Sequence, residues 1–209
     1  MKFDNFKNKI KNLPFFSTSF ISTLTDDSET LKVQLSSWKK KGLIIPLRKG
    51  LYILKENEEK IPSTFYLANQ MYIPSYISME SALHYYGLIP EFVAQVTSIT
   101  TRKTSSFKNK FGVFTYQHLK PKVYTGFTHI REINSNLQSL IANPEKAIVD
   151  FLYLNLSTFN ESSPDIFHKS YRFQNCGKVN RKKIKTYAKL FNSKKLIVIS
   201  DLFIQEVLK

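Results

Sequence analysis

Apolar side chains recur along the first forty residues at the spacing of an α-helix. Phe6, Ile10 and Leu13 stand at i, i+4 and i+7, and Pro14 ends the run, which predicts a helix over residues 4–13. Ser17 or Ser19 then caps a short helix carrying Phe20, Ile21 and Leu24. A third helix starts near Ser28, with Asp26, Asp27 and Glu29 at its positive end. Along it Leu31, Leu35 and Trp38 repeat on one side, and Gly42 stops it. The period then changes. Residues 43–47 and 51–54 read as two strands around a basic tip, Arg48-Lys49-Gly50. Three short helices followed by such a hairpin is the order of a winged helix-turn-helix, predicted for residues 1–60.

Ile61-Pro62-Ser63 marks the expected boundary of that unit. Beyond it helices and strands alternate. Residues 64–71 read as a helix with Phe65, Leu67, Ala68 and Met71 apolar. Tyr76-Ile77 reads as a short strand, and Ser78 as the cap of a helix that Gly87 ends. Residues 96–101, 111–119 and 123–133 are rich in β-branched and aromatic side chains and read as strands. Asn143-Pro144-Glu145 opens a helix through Leu156 that is apolar nearly all round, the mark of a central core helix. Within it Lys146 and Asp150 are one turn apart, which predicts a local structural pair. Residues 180–192 form an amphipathic basic helix. The fold class predicted is α+β: the winged helix-turn-helix, then a mixed α/β unit over 61–209, whose last segment, 161–209, is basic and helical.

Charge adds a partner class to this outline. The 209 residues carry 31 Lys and Arg against 16 Asp and Glu, a net +15. The excess sits at the two ends: 12 bases against 7 acids in 1–60, 8 against 5 in 61–160, and 11 against 4 in 161–209. A·T-rich codon usage adds Lys without removing acids, so it accounts for only part of this. The remainder points to a polyanion, nucleic acid or anionic membrane. On the third helix, Leu31, Leu35 and Trp38 define the inner stripe. The opposite side holds Glu29, Val33, Ser36, Ser37 and Lys40, flanked by Thr30, Lys32, Lys39 and Lys41. Short hydroxyls with lysines suit a helix lying in a major groove. Arg48 and Lys49 at the hairpin tip suit the minor groove or backbone. The competing reading is a solvated face and an ordinary basic turn. Glu29 is discordant: it caps the helix or reads a cytosine amino group. Lys182, Lys185 and Lys189 share one face of the 180–192 helix, either a second backbone contact or a solvated surface.

Other chemistries find little support. Six glycines, the closest two eight residues apart, exclude the standard dinucleotide and phosphate-loop motifs. His84, His118, His129 and His168 never pair at metal-ligand spacing, and Cys176 is alone, so no metal site, cofactor or disulfide is expected. Glu58 and Lys60 faintly echo a nuclease core with Asp26 or Asp27 upstream, but they sit in a solvated charge run. No signal peptide or 18-residue apolar run is visible, so a cytoplasmic protein without a membrane partner is expected.

Four stretches resemble the AbiEi family of bacterial antitoxins, from abortive-infection (phage-defence) systems. They are Leu35-Ser36-Ser37-Trp38 through Leu51-Tyr52; Ser75-Tyr76-Ile77-Ser78-Met79-Glu80-Ser81-Ala82-Leu83, closing at Tyr86-Gly87-Leu88-Ile89; Val96-Thr97-Ser98-Ile99-Thr100-Thr101-Arg102; and Pro144-Glu145-Lys146-Ala147-Ile148-Val149-Asp150. The resemblance covers about residues 15–160. It implies an N-terminal winged helix that binds inverted repeats in its own promoter and represses the operon. It also implies a C-terminal domain that neutralises a nucleotidyltransferase-class toxin without a stable complex, the type IV arrangement. A stand-alone winged-helix regulator with a ligand-sensing or dimerising second domain is the alternative; a metal-dependent nuclease is a third. No enzyme activity is expected.

Overall fold

The computed structural model describes residues 2–24, 28–133, 136–160 and 164–208, with backbone only at Ser28, Glu29 and Leu31. The expectations for Asp26, Asp27 and the Glu29 and Leu31 side chains lie outside the described residues. The chain is mixed α/β. It begins with α1 (Phe3–Ile10), a two-residue strand β1 (Phe16–Ser17), α2 (Thr18–Ile21) and α3 (Ser28–Lys40). Ser17 caps α2 by accepting from the Phe20 amide at 3.1 Å. Gly42, at φ +70°, ends the turn after α3 in a conformation that a side chain would strain. The hairpin β2 (Ile44–Arg48) and β3 (Leu51–Leu54) follows, and β1 pairs antiparallel with β3 to make three strands.

The second sheet has six strands in the order β6-β7-β5-β4-β9-β8: β4 (Ser75–Ile77), β5 (Gln95–Thr100), β6 (Ser105–Asn109), β7 (Gly112–His118), β8 (Phe127–Arg131) and β9 (Gln138–Ala142). Pairings β5–β7 and β4–β9 are parallel and the others antiparallel. Helix α4 (Thr64–Met71) lies on one face, where Tyr116 of β7 donates to the Ala68 carbonyl at 2.7 Å. Helices α5 (Met79–Tyr85) and α6 (Pro144–Leu154) lie on the other, where Tyr76 of β4 donates to Asp150 of α6. The register explains the split. Tyr76 stands opposite Ile99, whereas Tyr116 stands beside Ser98, and adjacent strand residues point to opposite faces.

The last segment has a packing role that its charge conceals. Helices α7 (Ile166–Lys169), α8 (Arg181–Leu190) and α9 (Lys194–Val207) deliver Phe167, Ile184, Leu196 and Phe203 to the core, all fully buried. Phe151 of α6 meets Tyr171 edge-on at 4.8 Å, and Phe173 meets Phe203 at 4.9 Å. Gly126 admits α8 closely. A Cβ there would stand 2.8 Å from the Tyr187 ring, and its φ is +78°.

Two hydrophobic cores meet at the hairpin. Ile44 and Leu54 join Phe6, Ile10, Phe16, Ile21, Leu35 and Trp38. Ile45, Leu47, Leu51 and Ile53 join the core of the six-stranded sheet. The hairpin thus alternates between the two cores with the period of a strand, and residues 61–209 alone would leave four large apolar side chains missing. Cys176 is buried at 6% exposure, and burial pushes its thiol up to about 11. Native protein at pH 7.5 is therefore expected to react with iodoacetamide far more slowly than protein in urea, read as one adduct by mass spectrometry. Comparable rates in both states would contradict the buried placement.

Candidate nucleic-acid interface

Helix α3 is held by its inner side. Trp38 stacks on Phe6 with ring centroids 4.6 Å apart and meets the edge of Phe3 at 5.3 Å. Leu35 is buried beside them. The outward side is left to solvent: Thr30, Lys32, Val33, Ser36, Lys39 and Lys40 are exposed, and Ser37 is half-buried. Four of the five residues expected to face a groove, Thr30, Lys32, Ser36 and Lys40, are thus brought to one open surface. Val33 belongs with them. It is 70% exposed, and its methyl groups suit contact with a thymine methyl. The sequence signal was an apolar residue opposite the buried stripe.

The hairpin tip separates the two cations expected there. Lys49 is exposed. Arg48 is half-buried; its Nε donates to the Met71 carbonyl at 2.5 Å, and a second guanidinium nitrogen donates to the Lys49 carbonyl at 3.1 Å. Arg48 therefore ties the tip to the end of α4, and Asn109 reinforces this by donating to the Leu47 carbonyl at 3.0 Å. The tip also rests on the start of α2. The Thr18 amide donates to the Gly50 carbonyl at 3.0 Å, and a Cβ on Gly50 would stand 3.1 Å from the Thr18 hydroxyl. Glycine at φ +77° is what lets the two meet.

The lysines of α8 divide in the same way. Lys182 and Lys189 are exposed, while Lys185 pairs with Asp201 of α9 at 2.8 Å. An exposed pair of this kind adds little stability, but it offsets the charge that a phosphate would need. The acidic alternative is also accounted for. Glu58 and Lys60 lie on a 3₁₀ turn, Lys55–Lys60, not on a strand. Glu58 pairs with Lys55 and Lys110, which hold its carboxyl below the usual range, and Lys60 donates to Asn57 at 2.8 Å. Among the described residues, no group of three His, Cys, Asp or Glu is placed to hold a metal ion. Nor is any helix among them long and apolar enough to cross a membrane.

No protein-family model and no curated protein matches this chain. Three of the four stretches singled out in the sequence meet inside the fold. Asp150 is fully buried and accepts from Tyr76 at 2.9 Å, from Ser78 at 2.8 Å and from Lys146; Lys146 also donates to Tyr76 at 2.9 Å. Burial raises the Asp150 carboxyl and lowers the Lys146 ammonium, against the partial offset of their mutual attraction. Ser78 was expected to cap α5. Its hydroxyl is instead spent on Asp150, and no side-chain cap bond forms. Thr97 completes the junction, donating to the Ser78 carbonyl at 2.8 Å while its own amide donates to Ser81 at 2.8 Å. These residues hold β4, β5, α5 and α6 together and touch no open surface.

Proposed function

We propose that the chain is the antitoxin and autorepressor of a type IV toxin–antitoxin system. In this reading residues 3–54 are a winged helix that binds inverted repeats in the chain's own promoter. The remainder opposes a nucleotidyltransferase-class toxin. One observation carries the DNA-binding half: an aromatic-seated helix whose outer side combines short hydroxyls, a methyl-bearing side chain and lysines, followed by an exposed lysine at a hairpin tip. The AbiEi resemblance carries the antitoxin half. Arg48 acts here by holding the hairpin rather than by reaching DNA, and Lys182 and Lys189 are secondary backbone contacts.

The test is a fluorescence-anisotropy titration of the gene's upstream DNA and a shuffled control across a salt series. The upstream DNA binds tighter. Lys40→Ala and Lys49→Ala weaken both DNAs and flatten the salt slope by about 1 for each charge removed. Ser36→Ala narrows the gap between the two DNAs, as expected for a lost contact to a base edge. Equal, weak binding to both DNAs with every variant would sink the autorepressor reading. The second arm co-expresses the full chain with the neighbouring nucleotidyltransferase toxin, and growth is restored. Operator binding without rescue would leave a stand-alone regulator in its place.

A further inference from the structure

A concave site lies far from α3 in the chain, where the end of β7 and the turn after it face the corner between α8 and α9. It encloses about 320 Å³. One wall is polar and carries two cations, with His118, Lys120 and Lys122, and the other is aromatic, with Tyr153 and Phe191. Asn192 closes the corner in a left-handed conformation at φ +51°. No carboxylate lines the cleft, and neither Lys120 nor Lys122 has an ion-pair partner among the described residues. His118 Nδ1 lies 2.9 Å from the Arg102 carbonyl, which can only accept. In the neutral ring the proton is therefore on Nδ1, and Nε2 is left as an acceptor, suited to a sugar hydroxyl rather than to a phosphate oxygen.

Lys120 and Lys122 are both exposed and repel one another weakly in water, and an anion seated between them removes that repulsion and accepts from both. A bare phosphate would use only the cations. The aromatic wall adds an apolar surface for a planar ring; Tyr153 and Phe191 stand 4.4 Å apart and are both half-buried, so part of each faces the cleft. Lys146 holds the Phe191 ring from beneath at 5.2 Å, which fixes the wall in place. The volume is at the lower end of small-ligand sites, the size of one nucleotide rather than a length of strand. We infer that this cleft binds a free nucleoside phosphate, its phosphates on Lys120 and Lys122, a sugar hydroxyl on His118 Nε2 and its base against Tyr153 and Phe191. The inference stands whether or not residues 3–54 bind DNA.

Full-length protein is titrated by calorimetry with ATP, GTP, CTP and UTP, and separately with inorganic triphosphate and a four-residue single-stranded oligonucleotide. At least one nucleotide binds saturably. The Lys120→Ala/Lys122→Ala variant weakens it by about tenfold or more, as expected for lost charge-assisted hydrogen bonds. Phe191→Leu weakens the nucleotide but leaves inorganic triphosphate unchanged, a split that a general loss of fold would not produce. Thermal melts of both variants, matched to wild type, report their folding. The proposal is overturned by no saturable binding at millimolar nucleotide, by inorganic triphosphate binding as tightly as the nucleotides, or by binding that survives both variants. An oligonucleotide that binds where every free nucleotide fails also overturns it, by giving the cleft to a strand end.

Discussion

Asp150→Ala lowers the stability of the chain by about 3–5 kcal/mol, the range for removing one partner of a buried ion pair. The cost comes from what remains. Lys146 stays fully buried with its charge unopposed, and the Tyr76 and Ser78 hydroxyls lose their acceptor. Lys146→Met is milder, because Asp150 keeps both hydroxyl donors. Lys146→Met/Asp150→Leu is more stable than Asp150→Ala, since it removes both charges and leaves only hydroxyls unpaired. Urea unfolding followed by circular dichroism measures all three, and an Asp150→Ala variant within about 1 kcal/mol of wild type contradicts the network. The pair also has a pH signature. Asp150 is raised from its ordinary 3.8, so the native state keeps a proton that the unfolded chain has released, and stability falls as pH rises through that window. Lys146 is lowered from 10.5, so stability returns as pH rises toward that value. The double variant lacks both slopes.

Phe6→Ala has an effect of similar size in the other core, about 3–5 kcal/mol. Phe6 is fully buried, stacked on Trp38 at 4.6 Å and edge-on to Phe16 at 5.3 Å. Its removal opens a cavity directly under α3. Trp38 is the single tryptophan of the chain and reports on that core. Its emission shifts at lower urea in the variant, while the circular-dichroism transition of the rest moves less, because most of the sheet core lies elsewhere. Under the DNA-binding proposal, operator affinity falls with it, even though no residue of the outer face has changed. A variant whose tryptophan transition coincides with wild type would remove Phe6 as the seat of the helix.

The elements that were legible are those whose neighbours lie within a turn. The apolar repeat placed α3, α4, α6 and α8, and Gly42 and Gly87 mark helix ends at positive φ. Elements whose pattern reports a distant neighbour were misjudged. Strand β6, Ser-Ser-Phe-Lys-Asn, lies at the sheet edge with one partner and lacks a strong apolar alternation. Residues 123–133 read as one strand, but Pro121–Val123 forms a 3₁₀ turn and β8 starts only at Phe127. Strand β9 and helix α9 were missed. In α9 the run Leu196-Ile197-Val198-Ile199 hides the helical period, because the helix is apolar on more than one side and packs on both α6 and α8.

The candidate site divides along the same line. Local spacing placed Thr30, Lys32, Ser36 and Lys40 opposite Leu35 and Trp38, because a helix fixes which residues share a face. It could not reveal that Arg48 is held by a carbonyl 23 residues away, or that Lys185 faces Asp201. Lys146 and Asp150 were legible as a pair, being four apart. That Tyr76 and Ser78, more than seventy residues away, complete their hydrogen bonds follows only from β4 packing under α6. By itself the amino-acid order settled the periods, the stops and the charge of this protein. Which polar group answers which, and where cations gather in a cleft, was decided by tertiary packing, since a buried donor takes whatever acceptor the folded chain brings within 3 Å.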